Sequence, residues 1–165
     1  YEEITYEGYG PAGVAVTANV LTDNRNRAAA AVRHEFSKHG GNLGETGCVS
    51  WMFKNQGIFI VSKDNATEEQ LFEVALDAGA DDVKTGDEEF EIITTPDVFD
   101  DVEKALADNN IATEHAQITM VPDNTIALSV EDGKKLENLI DALEDIDDVQ
   151  DVYHNGEFPE DMPED

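Results

Sequence analysis

VAVTANVLTDNRNRAAAAVRHEFSKHGGNLGETG, residues 14–47, holds each pattern from which the fold is read. Val14, Val16, Ala18 and Val20 alternate with Ala15, Thr17 and Asn19, the period of two of a half-buried strand. The period then changes. Ala28, Val32 and Phe36 recur every four residues, so a helix is expected from about Asn24 to His39 with these three on its buried stripe. Thr22 or Asp23 can cap its first N–H groups, and Gly40-Gly41 can end it in a left-handed turn. A glycine-rich loop, residues 40–47, follows. On the N-terminal side Gly8, Gly10, Pro11 and Gly13 punctuate a turn, so the chain opens strand, turn, strand, helix.

On the C-terminal side, Val49–Phe53 and Ile58–Val61 read as a hairpin around Asn55-Gln56-Gly57. Thr67-Glu68-Glu69-Gln70 has the form of a capping box before a helix with Leu71, Val74, Ala75 and Ala78 inward. Strands are expected within 81–94, around Gly86, and Thr95-Pro96 opens a helix carrying Phe99, Val102 and Leu106. Further strands follow at Ala116–Val121 and Ile126–Val130. Ser129 then caps a helix with Leu136, Leu139, Ile140 and Leu143 inward, and Val149–Tyr153 is the last strand. The end, residues 157–165, reads as a disordered acidic tail. Hairpins interleaved with helices predict an α+β fold of two small α/β sandwiches of ferredoxin-like character.

The chain has 165 residues and a net charge of −28, unevenly placed. Residues 1–63 balance six Lys/Arg against six acids; residues 64–165 set four Lys against 32 acids. The acid-rich part repels phosphate, so any nucleic-acid contact is expected in residues 1–63 or in a segment outside this sequence. A single cysteine, Cys48, allows neither an internal disulfide nor a cysteine metal cluster. No apolar run approaches the roughly 18 residues of a membrane span.

Gly8-Tyr9-Gly10-Pro11-Ala12-Gly13 matches the dinucleotide-binding pattern letter for letter, but a strand, not a helix, follows it, so a tight turn is expected. His34 and His39, five apart on one helix, point about 140° apart and do not suggest a metal site. No nucleophile–base pattern stands out, and no cofactor is expected. Four of the ten Lys/Arg, namely Arg25, Arg27, Arg33 and Lys38, fall within 14 residues. Arg27, His34 and Lys38 are expected on the solvent side of the helix. Arg25 and Arg27 sit in its first turn, where the helix dipole favours acids; cations there suit an anionic partner.

Several stretches resemble the YebC family, which includes bacterial regulators and the mitochondrial translational activator of cytochrome c oxidase. They are Tyr6–Gly13, Leu21–Arg27, the long block Arg33–Gly47, and, nearer the end, Met120–Thr125 and Ile140–His154. The resemblance implies a three-domain protein whose basic helical first domain lies outside this sequence. Residues 1–63 plus 123–156 would form a discontinuous second domain, with the third, residues 64–122, inserted in it.

What the resemblance implies about function is a non-enzymatic regulator of gene expression. Members are described as DNA-binding transcriptional regulators and as ribosome-associated factors that help translation through proline-rich stretches. The expected partners are DNA or the ribosome and its RNA, without a membrane or a small-molecule cofactor. The expected place is the cytoplasm, or the mitochondrion for a eukaryotic relative whose transit peptide lies outside these residues. The expected contacts are Arg25, Asn26, Arg27, Arg33, Lys38 and Asn42, with residues 40–47 permitting close backbone approach. The alternative is a ligand-binding module or enzyme using a cleft between the domains.

Overall fold

The computed structural model describes residues 1–160. Along them run β1 (Glu2–Tyr9), β2 (Ala15–Thr22), α1 (Arg25–Lys38), β3 (Asn42–Leu43), β4 (Phe53–Ser62), α2 (Glu68–Asp77) and β5 (Asp82–Thr85). They continue as β6 (Glu89–Thr94), α3 (Phe99–Asp108), β7 (His115–Pro122), β8 (Ile126–Ala127), α4 (Val130–Glu144), β9 (Val149–His154) and β10 (Gly156–Glu157). The chain divides into two compact units, Tyr1–Lys54 with the chain from Pro122 onward, and Asn55–Val121.

The first unit is built on an antiparallel sheet in the order β3-β1-β2-β9. Val16 and Val20 of β2, Ala28, Val32 and Phe36 of α1, and Leu136, Leu139 and Leu143 of α4 form one core, so both helices cover the same sheet face. The helical stripe read from the sequence is fully buried, with Val32 and Phe36 at 0% exposure. The glycine motif of residues 8–13 is a tight turn: Ala12 and Gly13 take φ of 61° and 77°, and Gly10 N–H donates to the Val14 carbonyl at 2.7 Å.

In the second unit the sheet order is β5-β6-β4-β7 around the sequence β4-α2-β5-β6-α3-β7, the split βαβ arrangement of ferredoxin-like folds. Leu71 and Ala75 of α2 and Val102 and Leu106 of α3 pack on Phe59, Val61, Phe90 and Ile92. Both units are α+β sandwiches, as expected.

Three local expectations need correction. The hairpin at 49–61 does not form: Ser50–Met52 is a 3-10 turn, and Phe53–Ser62 is one continuous strand. Gly57 sits mid-strand opposite Thr94, where a Cβ would collide with the Thr94 hydroxyl and the Phe99 ring. It is glycine for close packing, not for turning. Because β4 pairs with β6, residues 55–63 fall in the second unit instead of the first. Finally, Glu157 does not belong to a disordered tail: β10 pairs in parallel with β8, and Thr125 Oγ1 donates to the Glu157 carboxylate at 3.1 Å. Residues 161–165 of that tail lie outside the described residues.

Candidate nucleic-acid interface

The N-cap of α1 is Asn24, not Thr22 or Asp23: the Asn24 side chain accepts from Arg27 N–H at 3.1 Å. Thr22 instead ties the helix start to the segment before β9, its hydroxyl accepting from Asn24 N–H at 3.0 Å and donating to the Asp148 carboxylate at 2.9 Å. The helix ends at left-handed Gly40, φ 83°, with Gly41 N–H donating to the Phe36 carbonyl at 2.8 Å. Gly41 lies against the Tyr9 carbonyl with no room for a Cβ.

This frame separates the cations. Arg27 donates to Asp148 at 2.9 Å and to Asp23 at 3.0 Å, and these carboxylates hold its pKa above the ordinary value. Asp148 is correspondingly pulled below the ordinary carboxylate range by the Arg27 and Thr22 hydrogen bonds. Arg27 therefore joins the two ends of the unit's chain. Arg25 approaches Glu2 at 3.7 Å, both side chains more than half exposed, a weak contact. Among the described residues, Arg33 and Lys38 make no ion pair within 4.0 Å, and both are exposed. Asn26 and Asn42 are also exposed. At about 100° per residue, Arg27 and Lys38 share one ridge while Arg33 stands about 140° from Lys38. Arg25, Asn26, Arg27, Arg33 and Lys38 thus surround the helix instead of forming one face, and Asn42 lies beyond it on β3. His34 and His39 both approach Glu35, at 4.0 and 3.4 Å, and among the described residues no cluster of three or more metal-ligating side chains occurs.

The loop after β3 is held, and the residue that holds it carries no signal in the sequence. Glu7 is 3% exposed, and its carboxylate accepts from Gly47 N–H at 2.5 Å, Ser50 N–H at 2.6 Å and Val49 N–H at 3.2 Å. Burial alone would raise its pKa; the three backbone donors outweigh burial and hold the carboxyl below its ordinary 4.5. Gly44 N–H adds a bond to the Glu7 carbonyl at 2.8 Å. Burial and the Glu7 charge push the Cys48 thiol up, away from a reactive thiolate. Beyond the clamp, Trp51 stands 70% exposed, its indole N–H donating to the Cys48 carbonyl at 3.0 Å. A hollow of about 540 Å³ over the sheet is lined by Glu3, Thr5, Asn19, Gln150 and Asp151 among others; its acids oppose a polyanion there. No described helix is long and apolar enough to cross a membrane.

Known proteins are similar to this chain as a whole. A family model described as the TACO1/YebC second and third domain matches residues 1–156. A Clostridium tetani protein named "Probable transcriptional regulatory protein" is 55% identical over 161 residues, which cover 97% of this chain and 65% of that protein. One of the same name from Syntrophobacter fumaroxidans is 53% identical, covering 98% and 66%. The crystal structure of a conserved hypothetical protein from Aquifex aeolicus superposes with a TM-score of 0.82 at 44% identity, over 99% of this chain and 68% of that one. The chain spans about two thirds of the length of the curated relatives it matches. It belongs to the TACO1/YebC family, matching the model of that family's second and third domains.

Proposed function

We propose that the chain is part of a non-enzymatic regulator of gene expression that works by binding nucleic acid in the cytoplasm, either DNA or ribosomal RNA on the ribosome. The observation that carries this reading is that α1 gathers four of the ten Lys/Arg of a chain with net charge −28, two of them, Arg33 and Lys38, exposed and unpaired among the described residues. In such a chain a cation without a carboxylate neighbour is available to a phosphate. Arg25, Asn26 and Asn42 are further exposed donors around the same helix and the strand after it, open to a polyanion that wraps this end of the unit, and Arg27 fixes the helix start. The names of the bacterial relatives favour a transcriptional target. The role in translation through proline-rich stretches rests on the family resemblance alone.

The test is a salt titration of binding to duplex DNA and to ribosomes, with this chain and with the full-length protein side by side. Binding that weakens linearly in log–log form with salt, on either target, is the expected result. No binding by the full-length protein to either target, even at low salt, would end the reading.

A further inference from the structure

At the exposed end of the clamped loop lies a small cavity of about 130 Å³, lined by Trp51, Met52, Asp123, Asn124 and Asn155, all in the first unit. That is less than the roughly 150 Å³ of an apolar cavity that encloses one benzene ring, so it can receive the edge of a larger ring lying against Trp51 but not enclose it. Its walls combine three features. Trp51 offers an exposed indole oriented by the hydrogen bond to Cys48 and carried on a loop pinned by Glu7, so little conformational freedom is lost when a ring stacks on it. Asn155 is only 6% exposed, and its Oδ1 accepts from Ala15 N–H at 2.8 Å; among the described residues its Nδ2 donates to no acceptor, leaving that donor for a ligand. Asp123 adds a carboxylate acceptor, with Lys54 Nζ 3.4 Å away and that lysine side chain 66% exposed.

We infer that this cavity seats the polar edge of one unpaired nucleobase of a single-stranded nucleic acid. The base stacks on Trp51, its polar edge meets Asn155 Nδ2 and Asp123, and Lys54 meets the adjoining phosphate. An aromatic face, edge-reading amide and carboxylate groups, and a neighbouring cation are the chemistry by which proteins hold splayed-out bases. A purely apolar ring would leave Asn155 Nδ2 without an acceptor. The inference rests on the nucleic-acid reading above and assigns that function a second, base-contacting locus.

Trp51 is the chain's one tryptophan, so its emission reports this cavity alone. Fluorescein-labelled oligouridine, oligodeoxythymidine and an abasic phosphodiester of equal length are titrated into the chain at low salt, with anisotropy reporting binding. Unlabelled versions are titrated in parallel with Trp51 emission as readout. Base-bearing strands should quench Trp51 and the abasic strand should not; stronger quenching by one strand tells whether RNA or DNA is preferred. Trp51→Ala should weaken single-strand binding by roughly tenfold, and Trp51→Phe should retain most of it. Asp123→Asn should change the preference among oligouridine, oligocytidine and oligoadenosine. Binding seen by anisotropy with unchanged Trp51 emission, or equal quenching by the abasic strand, overturns the cavity assignment and leaves the proposed function standing. Absence of binding to every probe overturns the assignment, and the proposed function falls only if the full-length protein also fails on duplex DNA and ribosomes.

Discussion

The two units have the same two layers and, counted over the sequence, the same net charge of −14, yet they use charge differently. The first sets seven Lys/Arg against 21 acids, and four of the seven lie on α1. It contains a buried carboxylate clamp and a two-carboxylate bridge at Arg27. The second sets three lysines against 17 acids and, among the described residues, forms no ion pair within 4.0 Å. Its acids lie mostly on exposed positions, where water solvates them. Equal net charge therefore says little about where a polyanion is received. What matters is where cations gather: Arg33 and Lys38, both unpaired among the described residues, share one helix with Arg25 and Arg27, whereas Lys63, Lys84 and Lys104 of the second unit, equally unpaired, are scattered among its 17 acids.

The comparison breaks hardest at Glu7. Glu7→Gln should cost about 3 kcal/mol, because three backbone N–H groups lose a charged acceptor. The melting temperature should fall by roughly 10 °C, and hydrogen exchange should quicken at Gly47, Val49 and Ser50 but not in α2 or α3. The same variant should flatten the acid limb of stability. The folded pKa of Glu7 lies below its unfolded value, so its contribution is complete above the ordinary 4.5 and is lost as pH falls through the folded value.

Next in size is the paired reversal Arg33→Glu with Lys38→Glu. Nucleic-acid affinity at low salt should drop tenfold or more; the melting curve should hardly move, since neither residue has an ion-pair partner among those described. Arg27→Ala should do the opposite. A small fall in melting temperature is expected from loss of the Asp148 bridge, with affinity changed far less than by the paired reversal. Smallest of all, Lys84→Glu with Lys104→Glu in the second unit should leave affinity within about twofold after correction for the general charge change. A loss as large as that from Arg33 and Lys38 would erase the contrast between the units.

Much of this architecture is legible in the sequence, for reasons that can be named. Ala28, Val32 and Phe36 repeat at the helical period, and that local pattern alone determines which stripe is buried. Thr67 and Ser129 cap their helices as read, because a cap needs only a side chain and an N–H three residues on. What fails to show is what depends on distance along the chain. Gly57 looks like a turn until Thr94 and Phe99 are placed against it. Glu7 finds its partners 40 to 43 residues away, and they are backbone N–H groups that any residue supplies. Arg27 looks like one more binding cation until Asp148, 121 residues on, is beside it. The candidate interface is thus half readable: composition finds the helix that carries the cations, and only tertiary structure sorts the bound from the free.

The most direct trial of that sorting is the slope of log affinity against log salt for the full-length protein, unaltered and with Arg33→Glu and Lys38→Glu. If these two side chains neutralise phosphates, the slope should become shallower by about two. An identical slope in both proteins would contradict the account, whatever the absolute affinity.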